Sequence, residues 1–370
     1  ASNGAVMVEW LNVTFNYEYD LLWQRSSEHM MRAGYTYVGV SAQRVGLYAK
    51  PDGLLAWSPK RYAQLTIPQG SALDSSFVFD PAAYTIYGQA LRAIKQPGAV
   101  DVMGGIPAKW IIATGGSQSA GALTLYYDAY QLIDNVADGY MPFILSLSSL
   151  LAAVNVDSQV NINIPTLTAL VGKPVFLVNT ETDPSFVRPP DSSLFRLWET
   201  AGASHIDEDD FEAVRPIILR DLGVDLADGD KACKYTPRSR IPFKYVLNAA
   251  MDHLLAWVQN GTLPPSGTPF QYSLTGQLER DSYGNVLGGI RLSQEGVATA
   301  LNRRDNPGCD LEGQYGPFDT ATLQSLYPTH ADYVSRVNQA TGQNLQNGYI
   351  NPDDAQATEA AAEAAAIPPY

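Results

Sequence analysis

The sequence predicts an α/β protein, a mostly parallel sheet with flanking crossover helices. Two observations predict it. Short apolar runs bounded by turn residues alternate, up to about residue 226, with longer stretches of helical periodicity. The chain of 370 residues, 45% of them apolar, is also long enough for one large or two ordinary domains.

The elements follow in order. Val6–Trp10, between Gly4 and Asn12, reads as a buried strand. Leu21–Ala33 has a helical pattern with Gly34 as its stop, and the β-rich Tyr35–Val40 follows at once. Tyr84–Ile94 is a second helical stretch. Lys109–Thr114 reads as a strand, and Ala120–Ile133 as the helix after it. Gly139–Phe143 and Pro174–Asn179 read as further strands, and Phe211–Leu222 as a helix.

Beyond Leu226 the texture changes. Pro264-Pro265, Tyr283-Gly284-Asn285 and Gly288-Gly289 are turn pairs. One clear helix stands early there, Tyr245–Gln259, ending at Asn260-Gly261. The expected organisation is a core over 1–226 and, over 227–370, a helix plus an irregular region packed on that core. The alanine-rich stretch 353–366 is helix-prone and reads as a terminal surface helix. No internal repeat is visible.

Composition removes several function classes. The net charge of −14 argues against nucleic acid or an anionic membrane as partner, because both require a basic face. The longest apolar stretch, near Met141–Val154, contains serines and a proline and is too short to span a bilayer. No secretory signal is visible at Ala1, so any such signal is absent or already removed. The two cysteines, Cys233 and Cys309, cannot build a zinc cage.

Residues 109–121, Lys-Trp-Ile-Ile-Ala-Thr-Gly-Gly-Ser-Gln-Ser-Ala-Gly, carry most of the chemistry. A strand meets Gly115-Gly116, then Ser117, then a helix, which is the context of a nucleophile elbow. Small residues flank the serine because a strained turn leaves no room for larger ones. The plainer alternative is a glycine-rich turn with Ser117 as helix N-cap. Ser119, where the usual pattern has glycine, is a rival nucleophile, but it would fall inside the first helical turn.

A serine nucleophile needs a base, and the base needs an orienting carboxylate. The strand Pro174–Asn179 runs into Thr180-Glu181-Thr182-Asp183, and Ala201-Gly-Ala-Ser-His205 follows. The order Ser117, Asp183, His205 fits, with Glu181 as the alternative acid. The chain has four histidines. His253 lies in an amphipathic helix, His29 precedes the elbow, and His330 has no acidic strand end nearby in sequence. The expected oxyanion donors are the N–H of Gln118 and one from the loop after the first strand, Leu11–Thr14, at Asn12. That loop also reads as a glycosylation sequon, Asn12-Val13-Thr14. Asn260-Gly261-Thr262, after a helix, is the better acceptor of the two.

These residues resemble the α/β-hydrolase superfamily, and most closely a group of "alpha/beta hydrolase domain-containing" proteins held to be carboxylic ester hydrolases. The resemblance rests on residues 8–14, 38–43, 115–120, 181–183, 198–207 and 280–291, Val-Glu-Trp-Leu-Asn-Val-Thr and Trp-Glu-Thr-Ala-Gly-Ala-Ser-His-Ile-Asp among them. It implies Ser117 as nucleophile, His205 as base and an acid at Glu181 or Asp183. It also implies early strands before the Glu-Trp-Leu-Asn segment. This chain begins almost at that segment, so either it is processed or truncated or another segment covers the sheet edge.

The expected function is a serine carboxylic ester hydrolase acting on a small-molecule ester, with no cofactor or metal. Acyl transfer or a lyase on the same fold, or an inactive binding protein, are the alternatives. Apolar residues in 144–171 predict a small cap over Ser117, or else a buried crossover helix. The Gly288-Gly289-Ile290-Arg291 loop is expected as another pocket wall. Finally, Cys233 and Cys309 flank the turn-rich region. With the acidic, lysine-poor composition and the family resemblance, they imply a disulfide and a secreted or periplasmic enzyme.

Overall fold

The computed structural model describes residues 2–67, 81–154, 167, 172–185 and 189–369. Six strands form one sheet: β1 (Ala5–Trp10), β2 (Thr36–Val40), β3 (Trp110–Gly116), β4 (Gly139–Phe143), β5 (Val175–Thr180) and β6 (Phe195–Thr200), in the order β2-β1-β3-β4-β5-β6. β1 pairs in parallel with β2 on one side and β3 on the other, with Met7 opposite both Tyr37 and Ile112. β3 pairs in parallel with β4, Thr114 opposite Met141. Every residue of β1, β4 and β5 is buried. That explains why these runs are near-continuously apolar rather than alternating: helices cover both faces of a parallel sheet.

The order reverses between β1 and β3. The chain leaves β1 for β2 on one side and later returns to β3 on the other. Such a switch point leaves a crevice beyond the carboxyl ends of the two strands, where open α/β sheets bind their ligands. The loop after β1 and Ser117 after β3 both stand at that end.

Cα packing gathers the described residues into two compact units. The first comprises Ala1–Leu177, Ser185–Leu197 and Asp252–Pro264. Its core includes Val8, Trp10, Tyr84, Tyr87, Tyr126 and Tyr140. Helix Leu21–Ala33 ends as expected at Gly34, in the left-handed region with φ 80°. Its start is bound to β1: buried Glu9 accepts the Leu22 N–H at 2.8 Å and the Tyr37 hydroxyl at 2.6 Å.

The second unit comprises Val178–Pro184, Trp198–Met251 and Pro265–Tyr370. It is less irregular than its turn pairs suggest. It holds the antiparallel pair β7 (Ala300–Arg303) and β8 (Gln314–Pro317) and helices Thr320–Leu326, His330–Gln346 and Pro352–Ala364. Helix Glu208–Leu222 starts three residues before the expected Phe211, because Asp207 caps it by accepting the Asp210 N–H at 2.8 Å. The alanine-rich helix is not a free surface helix. Its Asp354, Ala355, Thr358 and Ala362 are buried, and Asn248 donates to Asp354 at 3.3 Å. Cys233 and Cys309 form the disulfide, closing a separation of 76 residues.

β6 had no counterpart in the sequence reading. Its run Phe-Arg-Leu-Trp-Glu-Thr carries two charged residues into the interior, which hides a buried strand. Arg196 is accommodated by an ion pair to Asp191 at 3.0 Å. The Gly288–Arg291 loop is engaged beside β6: the Ile290 N–H donates to the Glu199 carbonyl at 2.7 Å and the Ala201 N–H to the Ile290 carbonyl at 2.9 Å.

Candidate active site

The elbow is built from the backbone upward. Ser117 stands between β3 and helix Gln118–Leu125 with φ 58° and ψ −123°, a conformation that L side chains rarely hold. Its own N–H donates to the Phe143 carbonyl at 3.1 Å, and its carbonyl accepts from Ala120 at 3.0 Å. Across 111–127 every residue except Ser117 is buried. The turn therefore lifts one hydroxyl out of a packed segment.

The glycines around it are required by space. A Cβ on Gly116 would stand 2.6 Å from ring carbons of Phe143, and one on Gly121 would stand 2.2 Å from the Ser149 carbonyl oxygen. Position 119, where the usual pattern has glycine, carries a hydroxyl with a partner. The buried Ser119 hydroxyl donates to the Leu11 carbonyl at 3.2 Å, inside the helix and away from the turn. The Ser119 hydroxyl thus tethers the helix after Ser117 to the loop after β1.

That loop corrects one expectation. The Asn12 N–H is not an oxyanion donor, because it donates to the Tyr19 carbonyl at 2.9 Å, and the Leu11 N–H is likewise given to Val40 at 3.2 Å. The Asn12 side chain instead donates to the Gly116 carbonyl at 3.1 Å and accepts the Thr14 N–H at 2.8 Å. The Leu11 and Asn12 N–H groups are thus both engaged within the loop and the sheet. Gln118 is the first residue of its helix, where backbone N–H groups lack an intrahelical partner.

In the second unit, Asp183 and His205 come together. His205 Nδ1 is 2.9 Å and 3.0 Å from the two carboxylate oxygens of Asp183, and both side chains are buried. Asp183 is held in turn by the Thr180 hydroxyl at 2.7 Å. A carboxylate on Nδ1 fixes the tautomer that presents Nε2 for proton transfer. The alternative acid, Glu181, does not lie there. Its Oε1 accepts from Arg280 at 2.7 Å and its Oε2 from the Gly202 N–H at 3.2 Å. Burial lifts the Glu181 carboxyl above the usual carboxylate range, with Arg280 pulling the other way.

The remaining histidines lie elsewhere in the fold. His29 Nε2 is 3.1 Å from Asp252, which also accepts the Tyr35 hydroxyl at 2.8 Å. His330 sits between the carbonyls of Ile367 and Glu363, at 2.9 and 3.2 Å. His253 lies in helix Phe243–Asn260. Among the described residues no group of His, Cys, Asp and Glu is placed to hold a metal ion, and no helix is long and apolar enough to cross a membrane. Of the expected cap, helix Leu147–Val154 is present, with Ser149 against Gly121 of the elbow helix. Residues 155–166 and 168–171 of the cap lie outside the described residues.

A family model described as alpha/beta hydrolase domain matches residues 1–360. The chain belongs to this alpha/beta hydrolase family. No curated protein matches it. Among solved structures, the chain is similar to a presumed carboxylesterase from Lactobacillus plantarum WCFS1. The two share 14% identity over 60% of this chain and 74% of that one, with a TM-score of 0.32. That likeness is too slight to bear on fold or function. Family membership accords with the parallel sheet and its flanking helices. It makes a small molecule the expected substrate, without naming one.

Proposed function

We propose that this alpha/beta hydrolase is a serine carboxylic ester hydrolase. The observation that carries the reading is Ser117, the one position in 111–127 that is not buried, held at φ 58° on the turn between strand and helix. Such strain persists where the surrounding structure enforces it, and it clusters at functional sites.

His205 Nε2 accepts the Ser117 hydroxyl proton as Oγ attacks the ester carbonyl carbon. The backbone N–H groups of Gln118 and Val13 stabilise the oxyanion as it forms. The imidazolium is supported by Asp183 and returns the proton to the departing alkoxide, leaving the acyl group on Oγ. Water, deprotonated by His205, then attacks the acyl carbon; the bond to Oγ breaks, the imidazolium returns the proton to Ser117, and the acid leaves. The chemistry requires no metal or organic cofactor. Secretion or periplasmic export is part of the same proposal, supported by the disulfide, which oxidising compartments favour.

The test is labelling with a fluorophosphonate followed by peptide mapping. Stoichiometric modification of Ser117, and a fall in kcat of roughly 10⁴-fold or more in Ser117→Ala, are expected. Folded protein that stays unlabelled would end the reading and leave an inactive binding protein. Product analysis with a competing alcohol separates hydrolysis from acyl transfer.

A further inference from the structure

Glu181 takes no part in the chemistry above, yet it is fully buried at the end of β5, two residues before Asp183. Its partners bring three segments together. Its own N–H donates to the Ala203 carbonyl at 3.0 Å, and its Oε2 accepts the Gly202 N–H at 3.2 Å. Its Oε1 accepts from Arg280 Nη2 at 2.7 Å and from the Arg304 N–H at 3.4 Å. Arg280 is anchored in turn by donating Nη1 to the Gly284 carbonyl at 2.9 Å.

Gly202 and Ala203 form the turn that leads into His205. Gly202 has φ 71°, and a Cβ there would stand 2.5 Å from Oε2 of buried Glu295. The turn is thus bonded to Glu181 and packed against Glu295. Burying a charge is costly, and a well-packed apolar pair is often as stabilising as a buried ion pair. What an apolar pair could not supply is direction. The hydrogen bonds at Glu181 fix the turn before His205 relative to 181–183, the segment that carries Asp183.

We infer that Glu181, held by Arg280, is a positioning residue that sets the His205 imidazole in register with the Asp183 carboxylate. The inference rests on the proposed serine ester hydrolysis for its kinetic consequence, but not for its spectroscopic one. Glu181→Gln keeps the shape and one acceptor while removing the charge that Arg280 answers. Arg280→Gln disturbs the same carboxylate from its outer side and carries the test should Glu181→Gln not fold.

The experiment follows the downfield proton resonance of the His205 Nδ1–H in the full-length protein, together with p-nitrophenyl acetate hydrolysis normalised to fluorophosphonate-titrated sites. Both variants are expected to shift or broaden the resonance and to move the acid limb of the kcat profile. They are expected to lower kcat by about 10- to 100-fold, as misplacement of a catalytic group does, with KM within about twofold. Variants with wild-type resonance, kcat per titrated site and pH profile, and only a lowered Tm, would overturn the inference and leave Glu181 a structural residue. A wild-type protein that neither hydrolyses the ester nor takes the label would refute the esterase reading alone. The resonance would still decide whether Glu181 positions His205.

Discussion

The side-chain amide of Asn12 donates to the Gly116 carbonyl at 3.1 Å, joining the loop after β1 to the residue before Ser117. Asn12 is 3% exposed, so this is a buried bond between the two backbone segments that the proposed chemistry uses. Asn12→Ala removes it and also leaves the Thr14 N–H without its 2.8 Å partner. Unsatisfied buried groups cost about 1–3 kcal/mol. The expected outcome is a lowered Tm together with a fall in kcat per titrated site. Full activity in a destabilised variant would separate the bond from the chemistry.

Glu9 makes stability depend on pH. Burial is the main cause that pushes its carboxyl from 4.5 up to about 8, against the bonds from Tyr37 and Leu22. The unfolded chain releases this proton above about 4.5, while the folded protein keeps it until about 8. Between those values the folded state binds more protons, so stability falls as pH rises, by up to ~1.4 kcal/mol per pH unit. Glu18, also pushed to about 8 by burial, adds to the same slope. Glu9→Gln stays neutral throughout and should gain stability over wild type progressively from about pH 4.5 to about pH 8, with no further gain above that. Urea denaturation at several pH values checks this, and parallel curves for the two proteins would refute it.

The disulfide should matter for stability and not for chemistry. It closes a separation of 76 residues within the second unit. The chain-entropy argument gives roughly 4–5 kcal/mol as an upper figure for such a loop. The double variant Cys233→Ala, Cys309→Ala is expected to lose several degrees or more in Tm and to keep its kcat at low temperature. Loss of kcat while the protein remains folded would tie the bridge to the site.

The two sequons should behave oppositely. Asn260 is exposed at the end of its helix, and its Oδ1 accepts both the Thr262 N–H at 3.0 Å and the Thr262 hydroxyl at 2.6 Å. Asn12 is enclosed and committed to Gly116. Expressed through a eukaryotic secretory route, the folded protein should carry a glycan at Asn260 and none at Asn12. Peptide-N-glycosidase treatment in heavy-oxygen water, read by peptide mass, reports each site separately. A glycan on Asn12 in folded protein would contradict the geometry of the loop.

Much of this molecule was legible in the chain. Helix Leu21–Ala33 and strand Gly139–Phe143 have the bounds that the sequence predicts. A cap, a glycine stop and an apolar run act over a few residues, and local physics sets them. The strand, the paired glycines and the serine identify the tight strand-to-helix turn at Ser117 for the same reason. Only one strained turn joins those elements, and it admits only small neighbours. β6 and the buried face of helix Pro352–Ala364 were not legible. Each depends on partners far away in sequence, such as Asp191 for Arg196 in its ion pair and Asn248 for Asp354.

The sequence by itself determined the α/β class, the strand–turn–helix at Ser117 and a short list of acids and bases in workable order. The tertiary structure decided the strand order, because a buried apolar strand pairs equally well with many neighbours. It also decided which carboxylate lies on His205. Glu181 and Asp183 are two residues apart, and no local rule separates them. Long-range geometry does, placing Arg280 against one and the imidazole against the other. In the same way Asn12 keeps its place in the loop after β1 but gives its N–H to Tyr19. Its amide then reaches Gly116, a bond between residues 104 positions apart that only the folded sheet brings within reach.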